Sequence, residues 1–170
     1  MPAAGKSTIA WALAIEAAAP YLRVDRIEQA IVAWSTLAHP VGPVGYAVAH
    51  QLALEQLQLG LDVIVECVNP VAFTRDAWRG TAATAAAALV EVEVICSDQA
   101  EHRRRVETRA SDVDGLVKPS WAEVVDREYE PWSRTPVRVD SSTISVPRAV
   151  QRIAAEMKAV RGRRAPATVG

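Results

Sequence analysis

The chain is almost free of net charge and of cysteine, and each shortage closes off a class of function. Its 19 Lys and Arg against 20 Asp and Glu leave a net charge of −1, which argues against a nucleic-acid partner or a membrane surface. Two cysteines, Cys67 and Cys96, form no zinc or disulfide spacing. Each closes a β-rich apolar run and reads as a small buried hydrophobe. The three histidines, His39, His50 and His102, show no metal-ligand spacing, and no Ser-His-Asp arrangement can be argued. Long apolar runs are missing too: none approaches a membrane span. Internal repeats are absent. Half the residues are hydrophobic, so the composition predicts one soluble, cytoplasmic domain over residues 1–161. The concentrated basic segment, Arg161, Arg163 and Arg164 among Gly, Ala and Pro, reads as a disordered tail over 162–170.

What is present begins almost at once. Residues Ala3, Ala4, Gly5, Lys6, Ser7 and Thr8 close the pattern G-x-x-x-x-G-K-[ST], lacking only its opening glycine, which would stand one position before Met1. Such a loop aims backbone N–H groups at one point and ends at a helix N-terminus, which suits a polyphosphate. Lys6 would reach the terminal phosphates, and the Ser7 hydroxyl would ligate Mg²⁺. The run Ile9 to Ala19 follows, apolar almost all round with Glu16 as its one charge, and predicts a buried helix. A signal peptide is the competing reading of this segment, opposed by Glu16 in the apolar core.

Downstream, strands and helices alternate. Pro20 stops the first helix; Tyr21 to Val24 reads as a strand, and Asp25 opens the next helix as its N-cap. A Gly- and Pro-rich loop, Ser35 to Gly45, precedes a helix over about Tyr46–Leu59. Leu61 to Val68 is the clearest buried strand, with Glu66 as an acid inside it. Asn69-Pro70 reads as the start of a helix ending near Ala88. Leu89 to Cys96 is another strand, followed by an arginine-rich helix that Asp98 and Glu101 cap. Ser120 with Glu123 caps a helix to about Glu130, Val137 to Asp140 is a last strand, and Val146 to Val160 a closing helix. The fold class is therefore α/β: a parallel sheet with helices on both faces. Ligands in such sheets bind outside the strands' carboxyl ends, where Asp25, Glu66, Asn69, Ser97, Asp98 and Asp140 all fall.

In this order the motifs resemble the small P-loop kinases, an adenylate-kinase-like group that includes gluconate, shikimate and adenylylsulfate kinases, chloramphenicol phosphotransferase and zeta-toxin kinases. The closest resemblance is to their AAA-family ATPase or predicted-kinase branch. It rests on Ala4 to Thr8, Val24-Asp25, Val63 to Pro70, Thr74 to Arg79, Cys96 to Asp98 leading to Arg105 and Arg109, and Val139-Asp140, and it covers nearly the whole chain. It implies an ATP- and Mg²⁺-dependent kinase of a small hydroxylated molecule, acting as a monomer or homodimer. Alternatives within reach are a 5′-hydroxyl nucleotide, polynucleotide or toxin-type kinase, and an ATP-binding module without turnover. Two departures stand out: Glu66 where the family commonly has Asp, and Glu28 where an Arg often follows the acceptor-site Asp, which counts against an anionic acceptor.

In that frame the candidate catalytic residues are Lys6, Asp25, Arg105 and Arg109. Asp25 would take the acceptor's proton. Arg105 and Arg109, one helical turn apart, would close over the phosphates, or Arg105 would simply pair with Glu101. Ser7 and Glu66 are the candidate Mg²⁺ ligands; an arginine such as Arg75 or Arg79 is the other partner considered for Glu66. Asn69 would touch the acceptor or cap its helix. The strand expected before the loop is also missing from the sequence. This predicts an empty central slot about two strand spacings wide, near 9.5 Å, and a further 6–12 or so residues encoded upstream, ending in the loop's opening glycine.

Overall fold

The computed structural model describes residues 2–108 and 118–162. In chain order these form α1 (Lys6–Ala17), β1 (Tyr21–Arg23), α2 (Val24–Trp34), α3 (Val44–Gln58), β2 (Ile64–Glu66), α4 (Ala72–Thr84), β3 (Val92–Ile95), α5 (Gln99–Thr108), α6 (Trp121–Val125), β4 (Val137–Asp140) and α7 (Val146–Gly162). The strands pair in parallel as two separate ribbons. β1 lies on β2 with Tyr21 opposite Ile64 and Arg23 opposite Glu66. β3 lies on β4 with Val92 opposite Val137 and Ile95 opposite Asp140. No described helix is long and apolar enough to cross a membrane.

Both ribbons point the same way. Glu66, at the end of β2, meets Ser7 at the head of α1, and Ser141, just past β4, lies where a Cβ on Gly5 would touch its own at 3.3 Å. Between the ribbons runs a cavity of about 950 Å³, reaching from Lys6 at this end to Ala17, Leu61 and Leu89 at the other. The expected slot is therefore open. Its cost is the backbone of two facing strand edges, each polar group worth on the order of 1–3 kcal/mol if it is buried and unsatisfied.

The core surrounds this slot. Ile9, Leu13 and Ala14 of α1 pack with Ile64, Val94, Val139 and with Ala149, Val150 and Ile153 of α7. α1 closes at Ala18, whose φ of 48° is left-handed, and Ala19 N donates to Ala14 O at 3.0 Å, a Schellman closure built without glycine. The expectation that α1 is buried all round needs correction: Trp11 and Ile15 are 57% and 67% exposed. Trp11 instead meets the edge of Tyr21 at 5.6 Å.

Several helix boundaries differ from those predicted. α2 starts two residues early, with extended Arg23 as its N-cap and Asp25 inside the first turn, where its charge meets the helix dipole favourably. Asn69-Pro70 does not start α4. That helix begins at Ala72, whose N–H donates to Glu130 Oε2 at 2.6 Å, so the cap comes from far along the chain. α6 ends at Val125 rather than near Glu130 because the following residues are drawn elsewhere: Glu130 N donates to Pro70 O at 2.8 Å and Tyr129 to Glu93 at 2.6 Å. The Ser120–Glu123 capping box is present as read.

Candidate active site

The loop before α1 has an alternating backbone. Ala3 and Gly5 lie at φ of 54° and 87°, flanking Ala4, which is fully buried. Left-handed residues in alternation turn successive N–H groups to one side, the geometry of an anion nest. Gly5 is also the N-cap of α1 and has no side-chain cap, so the first N–H groups of a 12-residue helix point into the same nest. Glycine meets the φ requirement at position 5 without strain; alanine at position 3 holds the same region at a cost of about 1–2 kcal/mol.

Glu66 is 6% exposed, and three partners account for its burial. Ser7 Oγ donates to Oε1 at 2.6 Å, the Tyr21 hydroxyl donates to Oε2, and Arg23 Nε lies 3.6 Å from Oε2. Burial, with Glu66 as its hydrogen-bond acceptor, raises the Tyr21 phenol well above its ordinary value. Arg23 continues the chain of charge, with Nη2 3.9 Å from Asp25 Oδ2. The arginine partner of Glu66 is thus Arg23, neither Arg75 nor Arg79. Arg79 pairs with Asp76 and Glu91, and Arg75 spends its donors on carbonyls. Ser7 and Glu66 fit an octahedral cation: two oxygens already share one point, and Mg²⁺ takes one or two protein ligands, keeping waters and phosphate oxygens for the rest. The described residues hold no cluster of three or more His, Cys, Asp or Glu suited to a metal, and an ion bound in this way needs none.

On the other flank, Arg105 makes the pair with Glu101 that its spacing allows and also reaches the turn after β4. Nε pairs with Glu101 Oε1 at 2.7 Å, and Nη1 donates to Ser141 Oγ at 2.8 Å, beside Gly5. Arg103 and Arg104 pair with Glu107 and Glu101 on the exposed face. Arg109 lies outside the described residues. Asp140 builds the turn that carries Ser141. It accepts from Ser97 N at 3.1 Å and from Ser142 N and Oγ at 3.0 and 2.6 Å. Burial would raise its carboxyl, but these bonds outweigh burial and hold it well below the usual aspartate range. The turn's stability is therefore complete above that range and lost only as pH falls through the lowered value.

Asp25 and Glu28 sit three residues apart on α2, hence on one face. Glu28 is half-buried, and a Cβ on Gly45 would strike its Cγ at 2.3 Å, so α3 presses directly on it. Burial first, then the Asp25 charge, raises its carboxyl. Asn69 neither caps a helix nor pairs across the site: its Nδ2 donates to Cys67 Sγ at 3.1 Å.

Three contributors carry no motif that would mark them in the sequence. His102, 6% exposed, donates from Nε2 to Pro2 O at 2.7 Å and meets Trp121 edge-on at 5.3 Å, tying the loop's entrance to α5. Ser141 joins Arg105 to the loop. Arg23 joins Glu66 to Asp25; an arginine two residues before a strand-end aspartate carries no motif of its own.

The family described as AAA domain matches residues 1–127. Among curated proteins nothing matches the sequence. A structure described as a "putative kinase" of Chloroflexus aurantiacus superposes with a TM-score of 0.72 at 20% identity, over 94% of this chain and 92% of that one. An APS kinase of Mycobacterium tuberculosis, in complex with AMPPNP and APS, gives 0.64 at 19% over 93% of each. A gluconokinase of Sinorhizobium meliloti gives 0.57 at 18%, over 94% and 89%. The chain shares its fold with these structures, and its described strands form two two-stranded parallel ribbons.

Proposed function

Because the chain belongs to the AAA-domain family, we propose that it transfers the terminal phosphoryl group of ATP to a hydroxyl of a small molecule. The observation that carries this reading is the left-handed alternation of Ala3 and Gly5 at the head of α1, with Ser7 held against Glu66 at 2.6 Å. Backbone N–H groups of residues 3–8 cradle the phosphates, and Lys6 neutralises charge at their terminal end. Ser7 and Glu66 would hold Mg²⁺, which would supply further positive charge at the transferring group. The acceptor oxygen forms a bond to the terminal phosphorus while the bond to the bridging oxygen breaks and ADP leaves. The acceptor's proton passes to Asp25, and Arg105 faces the loop from the α5 side. With Asp25 and Glu28 on the acceptor side, a neutral or cationic hydroxyl compound suits the site better than an anionic one.

The test is ATP consumption over a panel of neutral, cationic and anionic hydroxyl compounds, with product identified by mass. Transfer to at least one member is expected. ATP binding without transfer to any would instead favour a nucleotide-binding module.

Two substitutions refine the roles. Asp25→Asn keeps a short polar side chain in the first turn but removes the base, and should lower the rate about 10²- to 10⁴-fold with little change in melting temperature. A normal rate would leave Asp25 as a dipole partner and a neighbour of Arg23 only. Arg105→Ala should slow transfer about 100-fold while the melting temperature moves by less than about 4 °C. An unchanged rate, measured alongside the melt, would reduce Arg105 to its contacts with Glu101 and Ser141.

A further inference from the structure

Glu66 turns its two oxygens to different neighbours. Oε1 accepts from Ser7 Oγ at 2.6 Å, at the head of α1, while Oε2 accepts from the Tyr21 hydroxyl. Arg23 lies on the Oε2 side as well, but at 3.6 Å from its Nε it supplies charge rather than a hydrogen bond of ordinary length. The division matters because a glutamate side chain turns about several torsions. An oxygen offered to a cation keeps its place only if another group holds the rest of the carboxylate.

The sheet register explains why Tyr21 can do this. Arg23 stands opposite Glu66 and Tyr21 opposite Ile64, so Tyr21 and Arg23, two positions apart, share a face of the ribbon. From there Tyr21 is a diagonal neighbour of Glu66, a separation that an aromatic side chain spans. The ring is itself held in place. Trp11 of α1 meets it edge-on at 5.6 Å, and it packs against the core that contains Ile9 and Leu13. α1 therefore bears on Glu66 by two routes: directly through Ser7 in its first turn, and through Trp11 against the ring whose hydroxyl Glu66 accepts.

We propose that Tyr21 is a positioning residue for the cation of phosphoryl transfer. Its hydroxyl anchors Oε2, so that Glu66 offers Oε1 to the phosphate loop beside Ser7 Oγ. The inference rests on the kinase reading for its cation. Tyr21 acts through Glu66, and no contact of the phenol with nucleotide or acceptor is involved.

The experiment uses Mn²⁺ in place of Mg²⁺, read by electron paramagnetic resonance, with AMPPNP as the nucleotide, so that binding is measured without turnover. Tyr21→Phe keeps the ring against Trp11 and removes the hydroxyl alone. It should weaken Mn²⁺ binding in the presence of AMPPNP about 10-fold or more, as loss of an outer partner of a metal ligand does. The melting temperature should stay within about 4 °C of wild type. Made in a Glu66→Asp background, the same substitution should change Mn²⁺ affinity by less than about twofold, because a carboxylate one methylene shorter draws back from the hydroxyl. Unchanged affinity in Tyr21→Phe, or equal losses in the two backgrounds, would overturn the role of Tyr21 and leave the kinase reading standing. Failure of the wild-type protein to bind Mn²⁺ with AMPPNP would overturn both.

Discussion

Arg75→Ala is expected to destabilise the protein by roughly 3–5 kcal/mol, lowering the melting temperature by about 10–15 °C. Arg75 is 3% exposed and has no carboxylate among its hydrogen-bond partners; its charge is met by four backbone carbonyls. Nε donates to Asn69 O at 3.0 Å, Nη1 to Pro131 O at 3.1 Å, and Nη2 to Pro70 O and Glu130 O at 2.9 and 2.8 Å. The guanidinium also stacks 4.3 Å from the centre of Trp132 and 5.1 Å from that of Tyr129. One side chain thus pins the segment leaving β2 to the segment leaving α6. Truncation strands the carbonyls and opens a cavity between two rings. Arg75→Lys should recover little, because an ammonium cannot span both segments with a planar fork. A thermal melt measures both variants. A loss under about 1 kcal/mol in Arg75→Ala would show that Glu130, through Ala72 and Pro70, holds the two segments by itself.

The second large effect concerns Lys6. Lys6→Ala should lower phosphoryl transfer by about 10³-fold or more, the range seen when one preorganised charge is removed from a transition state. ATP affinity should also fall, while the melt stays close to wild type because Lys6 lies outside the buried core. Titration with ATP–Mg²⁺ and a turnover assay on the same preparation separate the two losses. Equal affinity and equal rate in wild type and variant would sink the phosphate-loop reading.

The features legible in the sequence were those set by short-range chemistry. The phosphate loop follows from the φ freedom of Gly5 and the helix after it, and the parallel α/β order follows from β-branched runs separated by helical ones. The open slot was legible as well: the described strands form two ribbons, with β2 and β3 unpaired to each other. What stayed hidden was set by contacts distant in sequence. Nothing near Ala72 announces that Glu130 caps it from 58 residues away. Pro70 looks like a helix start until Arg75 captures its carbonyl. Glu66 called for a partner, and Arg75 and Arg79 were nearer along the chain than Arg23, which reaches it only because β1 and β2 pair in register. Trp11 and Ile15 show the same limit from the other side: an apolar residue on a helix does not say which of its faces the rest of the chain will cover.

Cys96 gives the molecule a built-in clock. Its thiol is buried just beyond β3, whereas Cys67 is only half-buried and lines the cleft. Burial first of all pushes the Cys67 thiol up to about 12, which slows its reaction without closing it off, since the thiolate is the form that attacks disulfides and maleimides. Cys96 is covered in the closed molecule, and its labelling must wait for local opening. The rate at which a thiol reagent consumes Cys96 counts how often the end of β3 breathes, with no probe added to the chain.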